Sequence, residues 1–482
     1  MNKTKNLLSV TAVILLVIVS CKEKKDEKTT TKEELATYAK QKVNATCLAK
    51  PDWFKIDPTT ENRKTLPPAE GKTSVFGNND SVTNCDFHQW SWQKFLWLTN
   101  DVSGNPLFIE NLIQVNTQCD SSGFSKEKII LSDHKQATGN ILKTNKSFSI
   151  DNTSHDVYYS IHVDNSLYED IQKYSKMDIS EYKDSSYQVG ALELKVAWVN
   201  KNAIRNADTS SYFITNGSIN SADTRIALLG MHVVGIVYNH PEFVWATFEH
   251  HDMAPQYNWT DTRDKDIPVT SSTNMLFFDS LATGHAQNLW STSDSVNVFN
   301  VNKFGVPIQA HKDSDTSFMV TSQSGAQNFN NINSINNDVS RLFKSNDSTD
   351  IWSNYFYNGS IWIDNKNTTD TATLVLSRIL NTLGDTLGKV DSTKLPRGSV
   401  AAYNITMETY EQIGLFTKVD IHSQNLVNVA NCFSCHVSEG SPITISHIFK
   451  QAIHKQNGLT VKEAKAKTLQ ELKAYIKGFK KE

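Results

Sequence analysis

Between residues 157 and 250 this chain carries run after run of β-branched and aromatic residues, and that stretch most limits what it can fold into. Residues 157–163, 189–199, 212–214, 225–238 and 242–250 each read as strands. Asn239-His240-Pro241 separates the last two and is a turn signal, because Pro241 cannot donate to a central ladder. The pair is expected to form an antiparallel hairpin. A turn centred near residue 241 puts His232 opposite His250 and Met231 opposite His251. A register slip of one residue brings Glu249 opposite His232 instead.

The flanks read differently. Phe87 to Leu98, with Trp90, Trp92 and Trp97, is apolar nearly all round, the pattern of a buried helix. Residues 48–84 hold Pro51, Pro58, Pro67 and Pro68 and read as loop, as does the Asn-rich stretch 326–337. Capping-box spacing at Thr31-Lys32-Glu33-Glu34 and at Thr460-Val461-Lys462-Glu463 predicts helices over 32–46 and from 460 onward. The expected class is α+β: a large, mostly antiparallel β-rich body with helices over 32–390, then a mainly helical segment over 391–482. Lys+Arg 48 against Asp+Glu 51 leaves a formal charge of −3, without the basic footprint of a nucleic-acid binder.

Residues 1–20 belong to no fold. Lys3 and Lys5 precede a short apolar run that ends Ile18-Val19-Ser20-Cys21, a secretory signal whose end resembles a bacterial lipobox. The expectation is cleavage before Cys21 and lipidation of that cysteine, with 21–31 as a solvated tether. Such a chain is anchored to a membrane without spanning it, in the cell envelope, most simply at the outer membrane. Export also supplies an oxidising compartment in which disulfides persist.

Near the other end stands Asn431-Cys432-Phe433-Ser434-Cys435-His436, a C-x-x-C-H sequence. Two thiols one helical turn apart can add to the two vinyl groups of one porphyrin, and the adjacent histidine then supplies an axial nitrogen to the iron. Zinc would want more Cys or His ligands than His447 and His454 offer nearby. A thioredoxin-like pair would want a βαβ setting that 401–450 lacks. A plain disulfide would leave His436 without a purpose. One covalent haem c on Cys432 and Cys435, with His436 proximal, is therefore expected. The 46 residues after His436 include no methionine, so His447 is the nearest candidate for a distal ligand, with His454 seven residues on.

Cys47, Cys85 and Cys119 remain, an odd set that permits one disulfide at most; the sequence leaves all three pairings open. His232, Glu249 and His250 are the candidate catalytic residues. Crowded on one face, they could bind a metal, act as acid and base or line a distal haem pocket; a hydrogen-bonded ladder in a β-core is the other reading.

Residues 85–98, Trp245-Ala246-Thr247-Phe248-Glu249-His250 and Asn431–His436 together resemble landmarks of exported bacterial proteins labelled "cytochrome c family protein". The resemblance spans most of residues 45–450 and implies one haem c within a large body that is otherwise not a cytochrome. It brings no reaction or substrate. The expected function is electron transfer by a lipid-anchored monohaem cytochrome, with a redox protein as partner. A haem oxidoreductase of peroxidase or oxygenase type, and a haem-based sensor, are the alternatives.

Overall fold

The computed structural model describes residues 47–77, 82–133, 142–182, 185–254, 272–278, 280, 289–292, 295–298, 319–347, 349–364, 395–398, 404–407, 432, 436 and 442–456. Cys21, the tether, the helices expected over 32–46 and from 460, and Cys435 lie outside them. The chain from Ala45 onward forms one compact unit. Among the described residues, no helix is long and apolar enough to cross a membrane.

The β-rich runs build a nine-stranded sheet. Its strands are β1 (Ile113–Val115), β2 (Ile129–Leu131), β3 (Val157–Val163), β4 (Leu192–Asn200), β5 (Ile214–Ile219), β6 (Ala222–Val237), β7 (His240–His250), β8 (Tyr355–Asp364) and β9 (Leu395–Gly398). They lie in the order β9-β8-β7-β6-β4-β3-β1, with β5 paired to the first part of β6 and to β2. Every pairing is antiparallel except β2 with β5. The body is thus α+β and dominated by an antiparallel sheet, as its alternating β-branched residues require.

The hairpin forms, in a different register. Val237 pairs with His240, so the turn is the two residues Tyr238 and Asn239, with Asn239 left-handed at φ 66°. Asn takes that conformation more readily than most residues, and it moves the turn ahead of Pro241. A bulge between Gly235 and Val237 adds a further offset. His232 therefore faces Thr247, Glu249 faces Gly230, and His250 pairs with Tyr355 on β8. Because the offset from the expected register is odd, His232 and His250 project from opposite faces.

Helix α1 (Asn84–Leu98) starts with the Thr83 amide donating to Asp86 Oδ2 at 2.7 Å. It is buried almost all round because it lies between the sheet and α3 (Met319–Asn346), with α2 (Asn165–Tyr174) elsewhere on the body. Phe95 stacks on Phe248 at 4.2 Å, and Trp92 Nε1 donates to Asn336 Oδ1 at 2.8 Å. The loop expected at 326–337 is instead part of α3. Ile332, Ile335, Val339, Leu342 and Phe343 recur at helical spacing and are all buried, and that stripe outweighs the asparagines' preference for turns.

Leu194, Val196, Met231, Val233, Val244, Ala246 and Phe248 face α1 and α3. The opposite face carries polar residues among apolar ones, and there the C-terminal part of the chain packs. Two stretches of it meet this face. Asn404–Met407 crosses β6 and β7, and 442–453 covers Val163, Val234 and Trp245. At Gly230 the first crossing comes so close that a Cβ would lie 2.7 Å from Thr406 Oγ1 and 2.9 Å from the Phe248 carbonyl. Glycine is required there. The chain entering the body is fastened by a Cys47–Cys85 disulfide, Cα–Cα 5.5 Å, and Cys119 is buried outside it.

Candidate functional site

Pairing across β4, β6 and β7 sets up three rows of side chains on the second face. Glu193, Val234 and Trp245 form one, Lys195, His232 and Thr247 the next, and Ala197, Gly230 and Glu249 the third. The Asn404–Met407 crossing lies over the third row: Asn404 Nδ2 donates to Thr247 Oγ1 at 3.0 Å and to the Phe248 carbonyl at 2.7 Å, and the Ile405 amide donates to Glu249 Oε2 at 2.9 Å. Glu249 therefore holds backbone.

Over the first row sits a tight corner, a single helical turn over Pro442–Ile445 that leads through Ser446 into α4 (His447–Gln456). Tyr187 Oη donates to the Ile443 carbonyl at 2.9 Å, and Ser446 Oγ donates to Glu193 Oε2 at 3.0 Å. Ile443, Ile445, Ile448 and Phe449 are buried beneath. The sheet thus grips the corner through two polar contacts and an apolar patch.

His436 is held by that corner. Its Nδ1 lies 3.1 Å from the Ile445 carbonyl, which can only accept, so Nδ1 carries the proton and Nε2 keeps a lone pair. The ring lies 4.1 Å from the indole of Trp245. Its amide donates to the Cys432 carbonyl at 2.8 Å, which ties the two ends of the C-x-x-C-H sequence together. Burial pushes the imidazole well below its usual range, and the charges of His447, Lys450 and Lys195 push the same way, against the Ile445 carbonyl. A neutral imidazole oriented through Nδ1 with Nε2 available is the arrangement of a metal-ligating histidine. Cys432 packs at the edge of the same apolar patch. Cys432 and His436 therefore fit a group attached at C-x-x-C-H.

His447, the distal candidate, stacks on His436 with centroids 3.8 Å apart and planes 17° apart. In-plane lone pairs of two rings stacked in parallel do not converge on an atom between them. In this arrangement His447 packs against the face of the His436 ring. His454 is on α4.

His250 is absent from this face. Its Nε2 donates to the Ser211 carbonyl at 3.0 Å, its Nδ1 accepts from the Asp252 amide at 3.1 Å, and Tyr212 stacks on it at 3.7 Å. Burial pushes it down to about 3. With both nitrogens on backbone and 1% exposure, it locks the end of β7. His232 and Glu249 do share the site face, diagonally across β6 and β7. Among the described residues, no three His, Cys, Asp or Glu side chains converge as around a bare ion.

Sequence reasoning missed Glu193, Lys195, Tyr187 and Ser446. The signal was present in Leu192-Glu193-Leu194-Lys195-Val196, where two charged residues alternate within a strand buried on both faces. Comparison with protein-family models, curated proteins and solved structures gave no match.

Proposed function

We propose that this protein is a lipid-anchored c-type cytochrome of the cell envelope that carries one haem c and transfers electrons to or from a partner protein. Cys432 and Cys435 would hold the porphyrin covalently and His436 Nε2 would bind the iron, with 391–482 as the haem-carrying segment and Cys21 as the lipid anchor. The observation that carries this reading is the hydrogen bond from His436 Nδ1 to the Ile445 carbonyl. It fixes the tautomer that ligation needs, in a chain whose sequence supplies the attachment thiols and the export signal.

The haem would supply one-electron chemistry. The chain's own residues keep His436 neutral and oriented, exclude water around it through Trp245, Ile443 and Ile445, and hold Ile445 in place through Tyr187 and Glu193. Moving a single electron needs no proton donor bound at the iron.

A second reading has its own support. Beside the corner, Lys195 and His232 are half-buried and lie in one row with the buried Thr247; this polar pair is more than electron transfer alone requires and would suit a ligand next to the haem. The optical spectrum of protein purified after expression with a haem-attachment system separates the two. Electron transfer predicts low-spin, six-coordinate iron in both redox states. High-spin iron that binds added ligands would favour the oxidoreductase reading, and a protein without haem would end both.

A further inference from the structure

We infer that Glu193 is a positioning residue for His436 and the protein's redox-linked proton site: when the iron loses an electron, Glu193 releases a proton to solvent, and both steps reverse on reduction. The inference rests on the haem reading above. Glu193 Oε2 takes the hydroxyl of Ser446, the residue directly after Ile445, whose carbonyl holds His436. It does so from a strand pinned on both sides, opposite Val163 on β3 and Val234 on β6. A carboxylate that moved would move the corner, and with it the imidazole.

Titratable and charged groups around Glu193 come from each element packed there. Lys195 is two residues along β4, and His232 is diagonal on β6. Tyr187 lies on the loop before β4, with Cys119 and Asp170 acting on it in turn. His447 and Lys450 project from α4. Burial raises the Glu193 carboxyl to about 7, against the opposing pull of the Ser446 hydroxyl and the Lys195 charge. An acid with that poise changes ionisation near neutrality. Positive charge gained on oxidation by an iron held at His436 would favour the Glu193 anion, lower its pKa and release its proton.

The test measures midpoint potential against pH in holoprotein by mediated titration with ferricyanide and dithionite. Wild type should show a potential that falls as pH rises through neutrality. Glu193→Gln, whose amide oxygen still accepts from Ser446, should keep its haem and its spectrum but lose that dependence. Glu193→Ala should disturb the haem spectrum as well. A wild-type potential flat across this window, or the same slope in Glu193→Gln, overturns the inference. Absence of haem from wild type would instead overturn the reading beneath it. Melting profiles then still test the proton site: wild type should lose stability relative to Glu193→Gln as pH rises from about 4.5 to about 7, and identical profiles overturn it.

Discussion

The indole of Trp245 lies against the imidazole of His436, ring centroids 4.1 Å apart and planes inclined at 45°. Trp245 is fixed by its own strand, with Val234 opposite it and its Nε1 donating to the Glu242 carbonyl at 3.1 Å. The ring at the proposed haem ligand is therefore packed by the rigid centre of the sheet. Trp245→Ala should destabilise the protein by about 3 kcal/mol, as truncations of buried aromatics do. Trp245→Phe should lose less than half of that. Urea unfolding of both variants checks it.

Gly230 should tolerate no side chain. An added Cβ meets Thr406 Oγ1 at 2.7 Å, Asn404 Nδ2 at 2.8 Å and the Phe248 carbonyl at 2.9 Å. Gly230→Ala should cost about 1–3 kcal/mol and expose the chain near residue 404 to proteolysis. Gly235→Ala meets the Trp90 ring at 2.8 Å, on the α1 side. It should destabilise without new cleavage near residue 404. Limited proteolysis with mass mapping distinguishes the two.

The Cys47–Cys85 disulfide closes a loop of sequence separation 38. Breaking it with Cys85→Ala should cost about 4 kcal/mol, in line with loop-closure entropy. Non-reducing thiol titration of denatured holoprotein should find one reactive thiol, that of Cys119.

Acid should destabilise the body through two buried histidines. Burial pushes His162 and His250 each down to about 3. Both stay neutral in the folded protein while the unfolded chain takes up protons below about 6.5. Their contribution is complete above that pH and is lost as pH falls toward 3, at about 1.4 kcal/mol per unit for each histidine. Thermal melts from pH 7 to pH 4 should show this slope, and His162→Gln, which does not titrate, should be shallower.

Much of this architecture was legible in local sequence. β3, β4, β6 and β7 followed from their β-branched alternation and α1 from its apolar surface, whereas β5 (Ile214–Ile219) shares only Ile214 with the run read at 212–214. The hairpin register was not, because a two-residue turn at Tyr238-Asn239 and a Pro-centred turn produce the same hydrophobic runs while facing opposite residues. That ambiguity separated His250 from His232. α3 was hidden because Asn331, Asn333, Asn336 and Asn337 mask a helical apolar stripe that only the partner surface of α1 makes decisive. In the site, C-x-x-C-H announced itself because covalent chemistry fixes its spacing. The corner that orients His436 did not, since Glu193 and Ser446 are 253 residues apart and meet only through the sheet.

The central claim is that C-x-x-C-H carries a covalent haem, and intact-mass spectrometry after expression with a haem-attachment system tests it most directly. The wild-type chain should gain the mass of one haem, retained under denaturing conditions, and Cys432→Ala with Cys435→Ala should gain none. A wild-type chain without the added mass, or a double variant that keeps it, would contradict the account.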